Sequence, residues 1–527
     1  MKQRITYLLK NAHEQGGVDP ATLEVSKDSL KIPGLNGAKE WRITVGAKEL
    51  PQEIWQVLKL SHELHIRWTS ATPYDAISPL VSRTPPGLHV FFTPRKDASQ
   101  DVLCPLLTNV FGRGISCHSV KESFSTPPIL SERFAMSASH QYYQSLPDLH
   151  DLIVYLQHKV CSAENTVCKD QIAQLSKAAS LDLDYDTISH ALQITTTWAR
   201  SPVGPTWSEV IRLRSKSDSV EVGVLNPEKP TEPEELSLGG FLTVLGEDDK
   251  PSATLFSFPA RHHPLPIEDT TAFKTSFQQP SGLHPTLQLS FREESLKPPS
   301  PSCSLHTYLT LPSTVFLDRY QLSDPLFLAS NNLLSLRSLS GESDLEAPAW
   351  VIKKWGSASL FELKSPRDYY DDDLSASAST EDQNKAGDWN VTIPLHLRYL
   401  DPSGGENMTS TSQPGKRTTK IPWPAVFWAC EAEEGLKMGV NPFDRVNLGY
   451  DGLFGPKTMF YHVPPARVGG EHGELYEKLE APVLDLQKSR YVEAGSAFVV
   501  VMGFAWVAWV LLRGTFGRKV DEGKKKI

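Results

Sequence analysis

The chain has 527 residues, 39% of them apolar, and a formal net charge of −9. That length carries two or three domains, and the acidic balance argues against a nucleic-acid binder, whose footprint is basic. Its 40 prolines disfavour long uninterrupted helices and favour short strands joined by turns.

The N-terminus, Met1 to Asn11, offers an apolar run only from Ile5 to Leu9. A secretory signal needs an apolar region of about seven to fifteen residues, so no cleavable signal is predicted. Residues 1–215 read as a mixed α/β region. Pro51 to Trp68 begins with helical spacing and ends in alternation, a helix running into a strand. Gly87 to Thr93 and Leu192 to Trp198 are strand-like; Asp151 to Val160 and Lys169 to Ser180 read as two short helices, or a helix and a strand. Residues 216–282 read as a Pro-rich, acidic linker with short strands, the Pro-Glu run up to Glu235 being a solvated loop.

From 283 to 485 short alternating segments recur: Thr286 to Arg292, Ser304 to Leu311, Ser313 to Tyr320, Ala349 to Trp355, Leu360 to Leu363 and Trp389 to Tyr399. With Pro and Gly breaks between them they predict a β-sandwich-like domain, so the fold class is mainly β. Val426 to Cys430 and Met459 to Val463 are further buried strands. Arg367 to Gly387 and Pro402 to Lys420 read as exposed loops. The sequons at Asn390 and Asn407 are N-glycosylation candidates. Cys104/Cys117 and Cys161/Cys168 are close enough for local bridges, but spacing leaves the pairing of the six cysteines open, and buried thiols fit equally well.

Ala494 to Leu512 contains no charge and as a helix reaches about 28 Å, close to the bilayer core, so it reads as a transmembrane helix. Trp506 and Trp509 suit interface anchors. The tail 513–527 is basic, which places it in the cytosol by the positive-inside rule and the bulk in the lumen. A rival topology is a tail-anchored protein with its bulk in the cytosol. The terminal Lys-Lys-Lys-Ile resembles a dilysine retrieval signal to the endoplasmic reticulum, with Lys524 and Lys525 as its key residues.

No catalytic, cofactor-binding or metal-ligating set is expected. Asp371-Asp372-Asp373 lies in a Ser-rich acidic stretch with no rigid strand to fix it. His62 and His65 are three apart, whereas a zinc-protease helix needs histidines four apart. His262-His263 has no carboxylate or cysteine nearby in sequence.

Several collinear motifs, Leu311-Pro312 with Phe316 to Leu322, Asp344 to Pro348, Pro394 to Tyr399, Phe427 to Cys430 and one final span, resemble the fungal branch of the PIG-X family. The resemblance covers about residues 285 to 515. It implies a non-catalytic subunit, in the endoplasmic reticulum membrane, that stabilises the first mannosyltransferase of glycosylphosphatidylinositol-anchor biosynthesis. The implied partner is a multispanning PIG-M-type catalytic subunit that uses dolichol-phosphate mannose. The alternative is a general lumenal folding or quality-control factor. Asp318, Tyr320, His396, Arg398 and Tyr399 are the expected partner contact; the competing reading is that they hold the β domain together.

Overall fold

The computed structural model describes residues 1–10, 20–96, 102–128, 138–213, 215, 217–265, 272–279, 281–292, 296–366, 388–403, 415–433, 436, 438–439, 441–466 and 473–516. Met1–Arg398 with Lys420–Leu479 forms one compact unit, and Tyr399–Thr419 with Glu480–Ile527 a second. The fold is mainly β, in several sheets.

The first unit is built on a ten-stranded sheet. Its spatial order is Ser252–Pro259, Glu235–Val244, Ser219–Glu228, Lys2–Leu9, Gly37–Gly46, Ala191–Trp198, Ser180–Asp186, Ser61–Thr69, Gly87–Pro94 and His140–Gln144. Period-2 side-chain alternation gives this sheet two unlike faces. Ile5, Tyr7, Ile66, Trp68, Val90 and Leu181 share an apolar cluster with Val57 and Leu58 of the helix Gln52–Leu58 and with Leu103, Leu107 and Val110 of the helix Leu103–Phe111. The alternate positions are polar, and residues from the C-terminal half close over them.

A six-stranded sheet, in the order His262–Pro264, Thr458–Val463, Ala425–Glu431, Ser304–Pro312, Gly356–Leu363 and Leu333–Gly341, contributes Tyr308, Phe427 and Phe460 to the same cluster. Gln141 Nε2 donates to Tyr308 Oη at 2.8 Å, and the Trp355 ring meets Tyr143 edge-on at 5.6 Å. A three-stranded sheet, Phe273–Phe277, Thr286–Arg292 and Asp388–Pro394, lies in the same unit.

All six cysteines are bridged, as Cys104–Cys117, Cys161–Cys168 and Cys303–Cys430. The last joins residues 127 apart, from the start of Ser304–Pro312 to Ala425–Glu431, two strands that pair directly.

Some local expectations fail for physical reasons. The run Ser219–Glu228, expected in a solvated loop, is a strand because Val220, Val222, Val224 and Leu225 are buried beneath its charges. Its parallel partner is Lys2–Leu9, whose apolar run from Ile5 to Leu9 is buried as an inner strand. Ser313 to Tyr320 is extended only over Val315–Phe316, because Asp318 turns the chain into the 3-10 turn Gln321–Ser323. Ala349 to Trp355 contains the 3-10 turn Ala349–Val351 rather than a strand.

In the second unit the helix Ser489–Phe516 contains the whole uncharged stretch, and its apolar side chains, Phe504, Trp506 and Trp509 among them, are exposed. It is long and apolar enough to cross a membrane and fits a single-pass topology.

Candidate functional site

The motif residues converge on a small two-stranded element in which Val315 pairs with Leu397 and Phe316 with His396. Because these pairs put the same face of each strand together, the His396 ring stacks on Phe316 at 5.2 Å. His396 Nδ1 lies 3.0 Å from His284 Nδ1, and its Nε2 lies 3.3 Å from Gln321 Oε1. Two ring nitrogens at that distance share one proton, one donating and one accepting. Burial, and then the neighbouring His284, hold His396 below its ordinary pKa.

Arg398 follows immediately and is buried, at 3% exposure. Its guanidinium sits 4.3 Å from the Phe316 ring centroid, a cation–π contact. One nitrogen, Nη1, donates to the backbone carbonyls of Asp344 at 2.5 Å and Ala347 at 2.8 Å. Those carbonyls converge because Asp344 Oδ1 accepts from the backbone N–H groups of Glu346 and Ala347, curling Asp344 to Pro348 into a tight turn. Two motifs that are separate in sequence are thus one clamp. Burial lowers the Arg398 pKa, against the pull of Glu342 and Asp344.

Asp318 is half-buried and caps the next turn, accepting from Tyr320 N at 2.8 Å and Gln321 N at 3.2 Å. Tyr320 itself is 73% exposed, and Leu326 in the following helix, Pro325–Ser330, is 81% exposed. In the second unit Tyr399 is 67% exposed. Of the five expected contact residues, Arg398 and Asp318 are engaged within the fold, His396 is part of the stack, and the two tyrosines present free surface.

Asn390 is exposed on Asp388–Pro394, an edge strand, where its Oδ1 accepts from Gln288 Nε2 and Ser290 Oγ. Asn407, Lys524, Lys525 and the Asp371 to Asp373 run lie outside the described residues.

Sequence reasoning missed the polar face of the ten-stranded sheet. Arg42, Thr195, Asp182, Arg67 and His89 occupy facing positions on five successive strands. Glu40 is fully buried and is met by Arg42 at 3.2 Å and by Arg445 at 2.5 Å. Arg445 also reaches Asp182 at 3.5 Å, and Arg67 bonds the other Asp182 oxygen at 2.5 Å. Burial alone would raise the Glu40 carboxyl, but Arg445 and Arg42 outweigh it and hold it below its ordinary range. The space beside Arg67, Asp182 and Arg445 is about 30 Å³, room for a water and too small for a substrate. This arrangement locks the chain together.

His65 belongs to the same face, its Nδ1 2.7 Å from Asp184 Oδ1, and His62 is exposed; both lie on the strand Ser61–Thr69 rather than on a helix. His262 is buried, with Nδ1 2.9 Å from His462 Nε2 across paired strands. Among the described residues no three His, Cys, Asp or Glu side chains are grouped to hold a metal ion.

The family model that matches this chain, over residues 280–512, is described as PIG-X / PBN1. Over 531 residues the chain is 46% identical to protein pbn1 of Emericella nidulans, covering 97% of this chain and 95% of that protein. It is 44% identical to protein pbn1 of Aspergillus oryzae, with 97% and 96% covered, and 43% identical to protein pbn1 of Neurospora crassa, with 97% and 95% covered. Motif, span and nearly full-length similarity therefore agree: the chain belongs to the PIG-X / PBN1 family, a membership that implies involvement in glycosylphosphatidylinositol-anchor biosynthesis.

Proposed function

We propose that this protein is a non-catalytic accessory subunit of the endoplasmic reticulum membrane that stabilises the first glycosylphosphatidylinositol mannosyltransferase. The partner is the multispanning PIG-M-type catalytic subunit, which uses dolichol-phosphate mannose. The observation that carries the reading is the nearly full-length similarity to Pbn1 proteins. A bulk lumenal domain with a cytosolic tail is supported by the bridging of all six cysteines, since disulfides persist in oxidising compartments and are rare in the cytosol. Exposed Tyr320 and Tyr399 are the side chains best placed to meet a partner, with the Arg398 clamp holding the Phe316 to Tyr320 segment in shape.

Affinity purification of the full chain from native membranes tests the assignment. The catalytic subunit is expected to co-purify in near-equal amount, and its absence overturns the reading. Orientation is read separately: endoglycosidase sensitivity that is lost with Asn390→Gln and Asn407→Gln places the domain in the lumen.

A further inference from the structure

An exposed sheet edge invites pairing with another chain, and proteins blunt such edges with charges, bulges, prolines or covering segments. Most ends of the two large sheets are protected in these ways. Leu333–Gly341 carries Arg337 and two register shifts. Gln141 in His140–Gln144 exchanges both backbone hydrogen bonds with Ser125. The strand His262–Pro264 is only three residues long.

Ser252–Pro259 is different. It pairs with Glu235–Val244 in unbroken register from Ser252↔Leu242 to Pro259↔Glu235, with no bulge. Its eight residues, Ser-Ala-Thr-Leu-Phe-Ser-Phe-Pro, include no charge and no proline before the last. Among the described residues, no backbone group bonds to its outer edge. Phe256 and Phe258 turn one way, onto the buried cluster of Leu8, Leu238 and Phe443, and Leu255 turns the other way, 73% exposed. An added strand would extend the ladder and the apolar cluster together.

Charge selects the occupant. Glu232, Glu234 and Glu235 stand at one end of this edge, beside Pro259, and Glu247, Asp248 and Asp249 stand against the single Lys250 in the turn at the other end, so both ends carry more acid than base. A second copy pairing antiparallel would set one acidic end against the other, which like-charge repulsion opposes. We infer that the outer edge of Ser252–Pro259 is a docking site for an extended segment of another polypeptide, with alternating apolar residues at its centre and Lys or Arg at both ends. Main-chain hydrogen bonds supply the affinity, and the acidic ends supply the selection. This inference stands independently of the mannosyltransferase reading.

The test uses the full chain in detergent and a fluorescent ten-residue peptide, Lys-Lys-Thr-Val-Thr-Val-Thr-Val-Lys-Lys, followed by anisotropy. Binding is expected to weaken at least tenfold when alternate peptide nitrogens are methylated, when Glu replaces the peptide's Lys residues, and in the Leu255→Lys protein. Leu255 is exposed, so Leu255→Lys is expected to leave the thermal midpoint unchanged; Ala253→Lys, also on an exposed position, serves if it does not. Equal binding of the methylated peptide, or no effect of either substitution, overturns the proposal. So does a dimer of the unmodified chain in sedimentation that Leu255→Lys dissociates, which would assign the edge to a second copy.

Discussion

Arg445 donates from Nη2 to Glu40 Oε2 at 2.5 Å across 405 residues of sequence. The pair is buried on both sides, at 10% and 0% side-chain exposure, and Arg42 beside Glu40 and Asp182 beside Arg445 complete its charge balance. Breaking one partner of an isolated buried pair costs about 3–5 kcal/mol, because the survivor stays buried and unpaired; here Glu40 keeps Arg42, which reduces the cost. Arg445→Met is therefore expected to lower unfolding stability by about 2–4 kcal/mol, measured by denaturant unfolding of the full chain in detergent. The double change with Glu40→Gln is expected to recover part of the loss, and simple additivity would contradict the coupling.

Arg398 and Tyr320 separate structure from recognition. Arg398→Ala removes a cation–π contact and leaves the carbonyls of Asp344 and Ala347 without their donor, a loss of about 2–4 kcal/mol. Tyr320→Ala removes an exposed ring and is expected to change stability by less than about 0.5 kcal/mol. On the proposed function it nonetheless lowers the amount of co-purified catalytic subunit. Unfolding curves and quantitative blots of both variants check the split.

Disulfide removal should follow loop length. On the chain-entropy account, Cys303–Cys430, spanning 127 residues, contributes about 4–5 kcal/mol. Cys161–Cys168, spanning 7 residues, contributes less than about 3 kcal/mol. Paired Cys→Ala substitutions, compared by unfolding midpoint, are expected to rank in that order.

Stability should fall on acidification. Burial holds His89, His263 and His306 at about 4 and His462 at about 3, against an ordinary value of about 6.5. Below that ordinary value the unfolded chain takes up protons that the folded chain refuses, so stability drops as pH falls from about 6.5 towards 4, by up to about 1.4 kcal/mol per unit for each histidine. Asp444, Glu477 and His65 act the other way. Asp444 is pushed up to about 6 by burial and Glu477 is raised by burial, so both gain a proton in the fold first, and His65 is raised because its bond to Asp184 outweighs burial. His140, His262 and His396 are also held below their ordinary value by burial, so the lowered histidines outnumber these groups. Unfolding midpoints measured between pH 7.5 and pH 5 are expected to decline, and to decline less steeply with His462→Asn; a flat profile would contradict this.

The sheets were legible where one face is apolar and the next residue is not. Thr286 to Arg292 and Ser304 to Leu311 show that alternation openly, and both are strands, Thr286–Arg292 and Ser304–Pro312. The helix-to-strand reading of Pro51 to Trp68 holds as Gln52–Leu58 and Ser61–Thr69. What stayed hidden was the buried polar face. Glu40, Arg42, Arg67 and Asp182 alternate with apolar residues as a solvated strand face does, and only partners such as Arg445, remote in sequence, make their burial tolerable. The Arg398 clamp was visible as two motifs but not as one contact, because nothing local to Asp344 to Pro348 calls for a guanidinium.

On the proposed function this chain keeps a mannosyltransferase present and working. Depleting the protein and measuring both the catalytic subunit's abundance and the mannosylated glycolipid precursor tests it most directly. Both are expected to fall while the catalytic subunit's transcript is unchanged, and the full chain is expected to restore them. Normal levels of subunit and precursor after depletion would contradict it.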